Sequence, residues 1–237
     1  MKIGSNKISF VCISLSIALT QASTSYGQLN GLGFGKSSGT VTVDKGAFLK
    51  STDEVTGNVL TARITFLESK ATLMEALGLK NDSVVKASEA LRAKEGPTSS
   101  SDDKVAALKD SSKTTADADK QFDAALNQSN ELSAESKAKF AQGTGKFILG
   151  VILEKEQIDT IQKLVEQGKA LSSSANPFEK IKVIGLVKPV MTLSTMVPGD
   201  VATGTSTLGK IMKFCKTQKI TEIPNSDKAT ASLGDLN

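Results

Sequence analysis

Apolar residues recur at three-, four- and seven-residue steps along most of this chain, and this spacing constrains its fold more than any other feature. On an α-helix, residues with these separations share one face, whereas a half-buried strand would alternate apolar and polar residues. The steps predict helices over 45–79, 84–94 and 101–126, with short polar breaks between them. The sequence therefore predicts an all-α protein, an antiparallel bundle of about four to six helices, several of them long.

Capping residues predict where the later helices begin. Leu132 and Ser133 follow a break at Asn130 and form a hydrophobic staple and cap, so a long helix is expected over 134–171. Asn176 can cap the next helix, and Pro177 follows it at the first helical position, where proline is favoured. That helix is expected to cover 176–197.

Pro198 and Gly199 are expected to end this helix, because proline cannot donate a backbone hydrogen bond. Asp200 is then expected to cap a separate final helix. On this interpretation the helical domain covers 44–219, and a C-terminal tail covers 220–237.

The beginning of the chain, residues 1–27, predicts a cleavable signal peptide. Lys2 and Lys7 form a positive region, and an uncharged apolar run over 8–19 follows. This run is shorter than the roughly 20 residues that a membrane-spanning helix needs. Small residues then place the cleavage before Gln28, with cleavage after Ala22 as the alternative. The sequence thus predicts a periplasmic or secreted protein.

The signal peptide is followed by a glycine- and serine-rich segment over 28–43, which predicts a flexible leader. Its Gly-Lys-Ser sequence, Gly35 to Ser37, is similar to part of a phosphate-binding loop. The motif needs a further glycine at the position of Asn30 and a preceding strand, and this segment has neither. We therefore expect no nucleotide site here.

Removal of the signal peptide changes the composition of the remaining chain. It removes the only tyrosine, Tyr26, and leaves Cys215 as the single cysteine. The 29 basic residues fall to 27 against 25 acidic ones, a formal charge of +2. This balance, without Tyr or Trp to stack on bases, argues against nucleic-acid binding. Cys215 cannot form an internal disulfide, and is either a buried thiol or a contact with another chain.

Catalytic and metal-binding chemistry is also disfavoured. The chain has no histidine, which is the usual general base near neutral pH and the commonest zinc ligand. Asp103, Asp110 and Asp117 share one helical face, but Lys113 and Lys120 stand at the spacing of surface ion pairs. We therefore expect no metal, no cofactor and no enzymatic activity.

Two segments, 147–153 and 181–197, are apolar around most of the helix. Such helices are usually buried, so central burial is the favoured interpretation. The alternative is that they contact an apolar ligand or a membrane. The residues that would form this surface are Phe147, Ile148, Val151, Ile152, Ile184, Val187 and Val190.

Several short stretches are similar to one known group of proteins. These are 132–143, 187–190, 197–199 and 216–224. The group is a family of secreted or periplasmic all-helical proteins of Gram-negative bacteria with no assigned activity. The resemblance implies a location in the cell envelope and no reaction.

The combined expectation is a non-enzymatic exported protein that binds a macromolecular partner or an apolar ligand. The alternative is a membrane-active or lipid-binding protein, similar to a pore-former, that uses the two apolar segments. No nucleic acid and no nucleotide is expected as a partner.

Overall fold

The computed structural model of the protein describes residues 43–128 and 131–233. This part of the chain is all-helical and contains no strand, which confirms the predicted fold class. Six helices have 11 residues or more, and a short one has 8. The predicted signal peptide, nearly all of the predicted leader and Asn130 lie outside the described residues. The helices are α1 (Lys45–Ala76), α2 (Asp82–Arg92), α3 (Ser101–Leu126), α4 (Ala134–Glu156), α5 (Ile158–Ser174), α6 (Lys180–Gln218) and α7 (Ser226–Leu233).

Helix α1 lies at the centre of this part of the chain and contacts every helix from α2 to α6. Asp44 begins it, because its Oδ1 atom accepts the backbone N–H groups of Gly46 at 2.6 Å and Ala47 at 3.2 Å. Buried side chains then follow on more than one face of the helix, which a central position requires. They include Phe48, Val55, Val59, Leu60, Leu67, Leu73 and Met74.

Helices α1 and α4 pack closely because glycines of α4 face α1. A Cβ atom at Gly150 would lie 3.0 Å from the Cα and N atoms of Phe66. The rings of Phe66 and Phe147 lie beside this contact, with centroids 4.5 Å apart. The absent side chain at Gly150 therefore lets the two backbones approach and the two rings pack.

The single long helix expected over 134–171 is wrong, since the structure ends α4 at Glu156 and begins α5 at Ile158. The interruption is one residue, Gln157, whose backbone stays near the helical region at φ −81° and ψ −16°. Neither glycine nor proline occurs at the break. The sequence therefore gave no turn signal, and the break divides two separate buried faces.

The expected division of the last apolar region into two helices is also wrong. Helix α6 runs without interruption through Pro198. An internal proline costs roughly 3 kcal/mol of helix stability. Leu193 and Val197 before the proline and Leu208 after it are all fully buried, and their packing holds the helix together.

The expected start of α6 at Asn176 is found in part. The Asn176 side chain accepts the Glu179 backbone N–H at 2.9 Å, and regular helix follows from Lys180. Glu179 does not complete a capping box, and instead its carboxylate pairs with Lys45 at 3.2 Å. This pair links the first turns of α6 and α1.

The described part of the predicted C-terminal tail packs on α4. A Cβ atom at Gly145 would lie 2.8 Å from Pro224, and the Asn225 side chain donates a hydrogen bond to the Gly145 carbonyl at 3.3 Å. Helix α7 follows, with Ala229 only 2% exposed. This stretch therefore belongs to the helical core rather than projecting from it.

Candidate functional site

The first apolar segment, 147–153, lies in the core. Phe147 and Ile148 are fully buried, and Val151 and Ile152 are 1% and 7% exposed. Only Leu153, at the end of the segment, is exposed, at 37%. These side chains stabilise the fold and are not accessible to a partner in this structure.

The second apolar segment, 181–197, is divided between core and solvent. Val187 and Val190 are buried, at 7% and 0% exposure, whereas Ile184 is 63% exposed. The seven residues predicted as a binding surface therefore do not form one. Six of them lie in the core, and Ile184 alone lies on the surface.

Ile184 belongs to an exposed apolar surface that we call the α6 face, formed by Phe178, Ile181, Ile184 and Met191. Their exposed fractions are 92%, 80%, 63% and 43%. Helical spacing places Ile181, Ile184 and Met191 on one side of α6, and Phe178 lies in the turn that precedes the helix. The opposite side carries Val183, Val187 and Val190 into the core.

Sequence reasoning missed Phe178 as a surface residue, because it read this position only as part of a helix start. The sequence contains a second apolar stripe in this segment, which could have predicted an exposed apolar surface. Ile181 and Ile184 repeat at helical spacing beside the stripe of Val183, Val187 and Val190. A surface helix that needs only one buried stripe would carry polar residues at these two positions.

The charges around the α6 face are all positive over a long stretch. Residues 180–199 contain Lys180, Lys182 and Lys188, which are exposed, and no Asp or Glu. The carboxylate just before the stretch, Glu179, pairs with Lys45, and the one just after it, Asp200, pairs with Arg63. The α6 face is therefore apolar with a basic border.

Helix α6 is also the one helix among the described residues that is long and apolar enough to cross a membrane by length and composition. Only 33% of its most apolar window of 18 residues is buried. A core helix of a water-soluble protein would bury more of such a window.

A buried ionic cluster joins α6 to α1 and α4. Arg63 of α1 lies with its Nε atom 3.1 Å from Oε1 of Glu154 on α4, and its Nη2 atom donates a hydrogen bond to Oδ2 of Asp200 on α6. The contact with Glu154 is an ion pair without the orientation of a hydrogen bond. The three side chains are 8%, 4% and 21% exposed.

This cluster contains one guanidinium and two carboxylates, and the pKa values of both acids are raised. Burial raises the pKa of Glu154 to about 7, although the positive charge of Arg63 opposes the shift. Burial likewise raises the pKa of Asp200, again against Arg63. The cluster is enclosed by packed helices, so it connects elements of the fold rather than facing a substrate.

Residues considered for metal binding have structural roles. No group of three or more His, Cys, Asp or Glu that could hold a metal occurs within 43–128 and 131–233. Asp110 pairs with Lys113 at 3.4 Å and Asp117 with Lys120 at 3.1 Å, as surface ion pairs. Asp103 forms a capping box with Ser100 at the start of α3.

Cys215 is a buried thiol, with 1% exposure and its Sγ atom 3.9 Å from Oγ1 of Thr144. Burial raises its pKa to about 11. Of the two sequence interpretations, the structure favours the interior thiol over a contact with another chain, because a thiolate is needed for disulfide formation.

A cleft of about 300 Å³ lies between the end of α3 and the second half of α6. Leu126 and Phe214 form its apolar part, while Lys210, Lys213 and Thr217 border it. None of the seven predicted surface residues lines it. It does not resemble the mostly apolar enclosed cavity that a small apolar ligand would need.

No family model, curated protein or solved structure matches this chain. The α6 face and the residues around it are therefore the basis for the function proposed below.

Proposed function

We propose that the mature chain is an exported, non-enzymatic helical protein that binds a large partner in the cell envelope through the α6 face. The signal-peptide pattern over 1–27 and the resemblance to secreted helical proteins of Gram-negative bacteria support the export. The proposal includes the finer architecture, an antiparallel bundle behind a flexible glycine-rich leader.

The exposure of the α6 face is the observation that supports binding. Phe178, Ile181 and Ile184 are 92%, 80% and 63% exposed, although burial of such a side chain is worth about 1.5–3 kcal/mol. Neighbouring exposed apolar side chains of this size mark interaction sites on proteins that are otherwise polar at the surface. A partner that covers them would gain this free energy.

The shape of the surface favours a large partner over a small apolar ligand. The exposed side of a helix is convex, whereas small ligands bind in clefts that cover most of their surface. Ile181 and Ile184 project from the outside of α6, and the side chains opposite them pack against the core. The partner must therefore supply its own extended surface.

The proposal predicts binding to isolated envelopes of the native host that depends on the α6 face. Mature protein should sediment with the envelopes, and the double variant Ile181→Ser/Ile184→Ser should lose at least about 10-fold in affinity, because two apolar contacts are removed. Val85→Ser is a matched control, since Val85 is an exposed apolar residue of α2 at 38%. Equal sedimentation of all three proteins would contradict the proposed function.

The export itself has a direct measurement. The mass of the protein isolated from its native host should correspond to a chain that begins at Gln28. A chain that retains Met1 would refute the signal peptide and the envelope location together.

A membrane-active protein is the second candidate function, and the length and composition of α6 favour it. In this alternative α6 leaves the core and crosses the bilayer. Release of dye from sealed vesicles by the mature protein would support the alternative. Intact vesicles across a range of pH and lipid compositions would exclude it.

A further inference from the structure

We infer that the α6 face docks on the surface of a bilayer that contains anionic lipids, with the first half of α6 parallel to the membrane plane. This inference rests on the proposed function and names the partner. It differs from the membrane-crossing alternative, because α6 keeps its place in the fold.

The apolar residues of the α6 face suit an interfacial position. A helix that lies in a bilayer interface inserts one apolar side by roughly 5–10 Å while its other side stays outside. Ile181 and Ile184 lie one turn apart on α6, and Phe178 lies in the turn just before the helix. These three are the most exposed large apolar side chains in the described part of the chain. They can enter the acyl boundary together without any change in the helix.

The lysines beside the α6 face supply the charge complementarity. Lys180, Lys182 and Lys188 are exposed, and residues 180–199 contain no carboxylate that would oppose anionic headgroups. A lysine near an anionic leaflet is attracted to its headgroups. Its aliphatic stem can lie on the apolar surface while its ammonium group reaches the phosphates.

The carboxylate that comes just before this stretch in the sequence is paired with a lysine. Glu179 pairs with Lys45 of α1 at 3.2 Å, at the edge of the α6 face. The side chains of this pair are 46% and 49% exposed, so the headgroups meet a balanced pair rather than a free negative charge.

The composition of the α6 face fits a bilayer better than a protein partner. The binding hot spots of protein–protein interfaces are rich in Tyr, Trp and Arg, and such interfaces are poor in Lys. Residues 178–191 contain three lysines and no Tyr, Trp or Arg. Phe, Ile and Met beside Lys are the residues of a basic interfacial helix.

Docking in this way keeps the core intact. The side chains on the other side of the same turns, Val183, Val187 and Val190, remain buried. Gly168 of α5 lies so close to α6 that a Cβ atom at Gly168 would be 2.7 Å from Cγ1 of Val187. No buried side chain needs to be exposed for the lipid contact to form.

Vesicle co-sedimentation of the mature protein tests the inference. We expect binding to vesicles of phosphatidylcholine mixed with phosphatidylglycerol, weak binding to phosphatidylcholine alone, and a loss of binding as salt screens the charges. The triple variant Lys180→Gln/Lys182→Gln/Lys188→Gln should bind the anionic vesicles roughly 100-fold less, at about 1 kcal/mol for each lysine. The triple variant Lys109→Gln/Lys113→Gln/Lys120→Gln, at three exposed lysines of α3, is the matched control and should bind like the wild type.

A fluorescent reporter tests the position of the helix. The chain has no Trp, so Ile181→Trp places a single indole on the α6 face. Its emission should shift to the blue with anionic vesicles, whereas Val85→Trp on α2 should show no shift. A shift at both positions or at neither would overturn the proposed docking geometry.

The possible failures are distinguishable. If the wild type does not bind anionic vesicles but binds native envelopes through Ile181 and Ile184, the lipid inference is wrong and a protein partner takes its place. If neither vesicles nor envelopes bind, the proposed function fails as well. Dye release from the anionic vesicles would overturn the parallel position and support a crossing helix.

Discussion

The two apolar segments of this protein are both apolar around most of the helix, but they differ in how completely they are buried. The segment of α4 over 147–153 is buried except at Leu149, which is partly exposed, and Leu153, whereas the segment of α6 over 181–197 exposes Ile181 and Ile184 at 80% and 63%. Helix α4 contacts α1, α5, α6 and α7, and these neighbours enclose its apolar residues. Helix α6 also contacts four helices, α1, α3, α4 and α5, so the number of neighbours does not explain the difference. Burial of an apolar segment depends instead on whether its neighbours cover every side of it.

Glycines show the same contrast at the level of single residues. A Cβ atom at Gly150 of α4 would lie 3.0 Å from the α1 backbone, while one at Gly185 of α6 would have nothing within 4 Å. Gly150 is needed for close packing of two helices. Gly185 faces open space and lowers the stability of α6, because glycine loses more backbone entropy than alanine in a helix.

Truncation of one side chain from each segment gives the largest expected difference. Phe147→Ala should lower the free energy of unfolding by about 3–5 kcal/mol, because Phe147 is fully buried against Phe66. Ile184→Ala should change it by no more than about 0.5 kcal/mol, as expected for a surface position. Urea unfolding of both variants measures this difference, and equal losses would mean that Ile184 is buried in solution.

Substitution of one glycine from each segment should change stability in opposite directions. Gly150→Val should lower the free energy of unfolding by about 1–3 kcal/mol, because the new side chain would push α1 and α4 apart. Gly185→Ala should raise it by up to about 1 kcal/mol through helix propensity alone. Thermal unfolding reports both signs, and a stable Gly150→Val protein would contradict the close contact of α1 with α4.

The pH dependence of stability tests the buried ionic cluster of Arg63, Glu154 and Asp200, which joins α4 to α6 outside their apolar segments. The pKa of Glu154 is raised from 4.5 to about 7, so the folded protein binds a proton that the unfolded chain releases within this window. The contribution of Glu154 is therefore most favourable below pH 4.5 and is lost as the pH rises through 7. We expect the stability of the wild type relative to Glu154→Gln to fall over this range, by at most about 1.4 kcal/mol per pH unit.

Urea unfolding of both proteins across this pH range measures the effect. Asp200 titrates in both proteins, so the difference between their free energies of unfolding reports the titration of Glu154. A constant difference, or one that grows with pH, would show that Glu154 is ionised throughout the range and paired more tightly with Arg63 than the structure indicates.

Thiol reactivity gives the smallest expected effect in the wild type and a large one in a variant. Cys215 is buried and has a pKa of about 11, so it should react slowly with a thiol reagent at neutral pH. Ile184→Cys on the α6 face should react rapidly with one equivalent. Rapid reaction of Cys215 in the wild type would mean that the second half of α6 opens readily.

Local signals predicted several elements well. The apolar spacing gave α1 nearly to its ends, and Ser133 caps α4, where its hydroxyl accepts the Ser136 backbone N–H at 3.1 Å. Two elements were missed for physical reasons. Gln157 breaks a helix without a turn residue, and α6 continues through Pro198 because buried residues on both sides outweigh the proline penalty.

The candidate site was harder to predict than the fold. Sequence patterns identified the segment that contains Ile184, but they grouped this residue with Val187 and Val190, which point into the core. The α6 face depends on which side of α6 meets α5 and which side meets solvent. Spacing places residues on a common side of a helix and does not say which side has a neighbour.

The sequence by itself determined that this chain forms helices, where most of them begin, and which segments are apolar enough to be buried or to bind. These properties depend on neighbours in the chain, through capping, helical periodicity and side-chain polarity. Only the tertiary structure decided that the α4 segment is enclosed and that the α6 segment is left with one open side. That outcome depends on contacts between residues distant in sequence, such as Gly150 with Phe66 and Arg63 with Asp200, which no local pattern encodes.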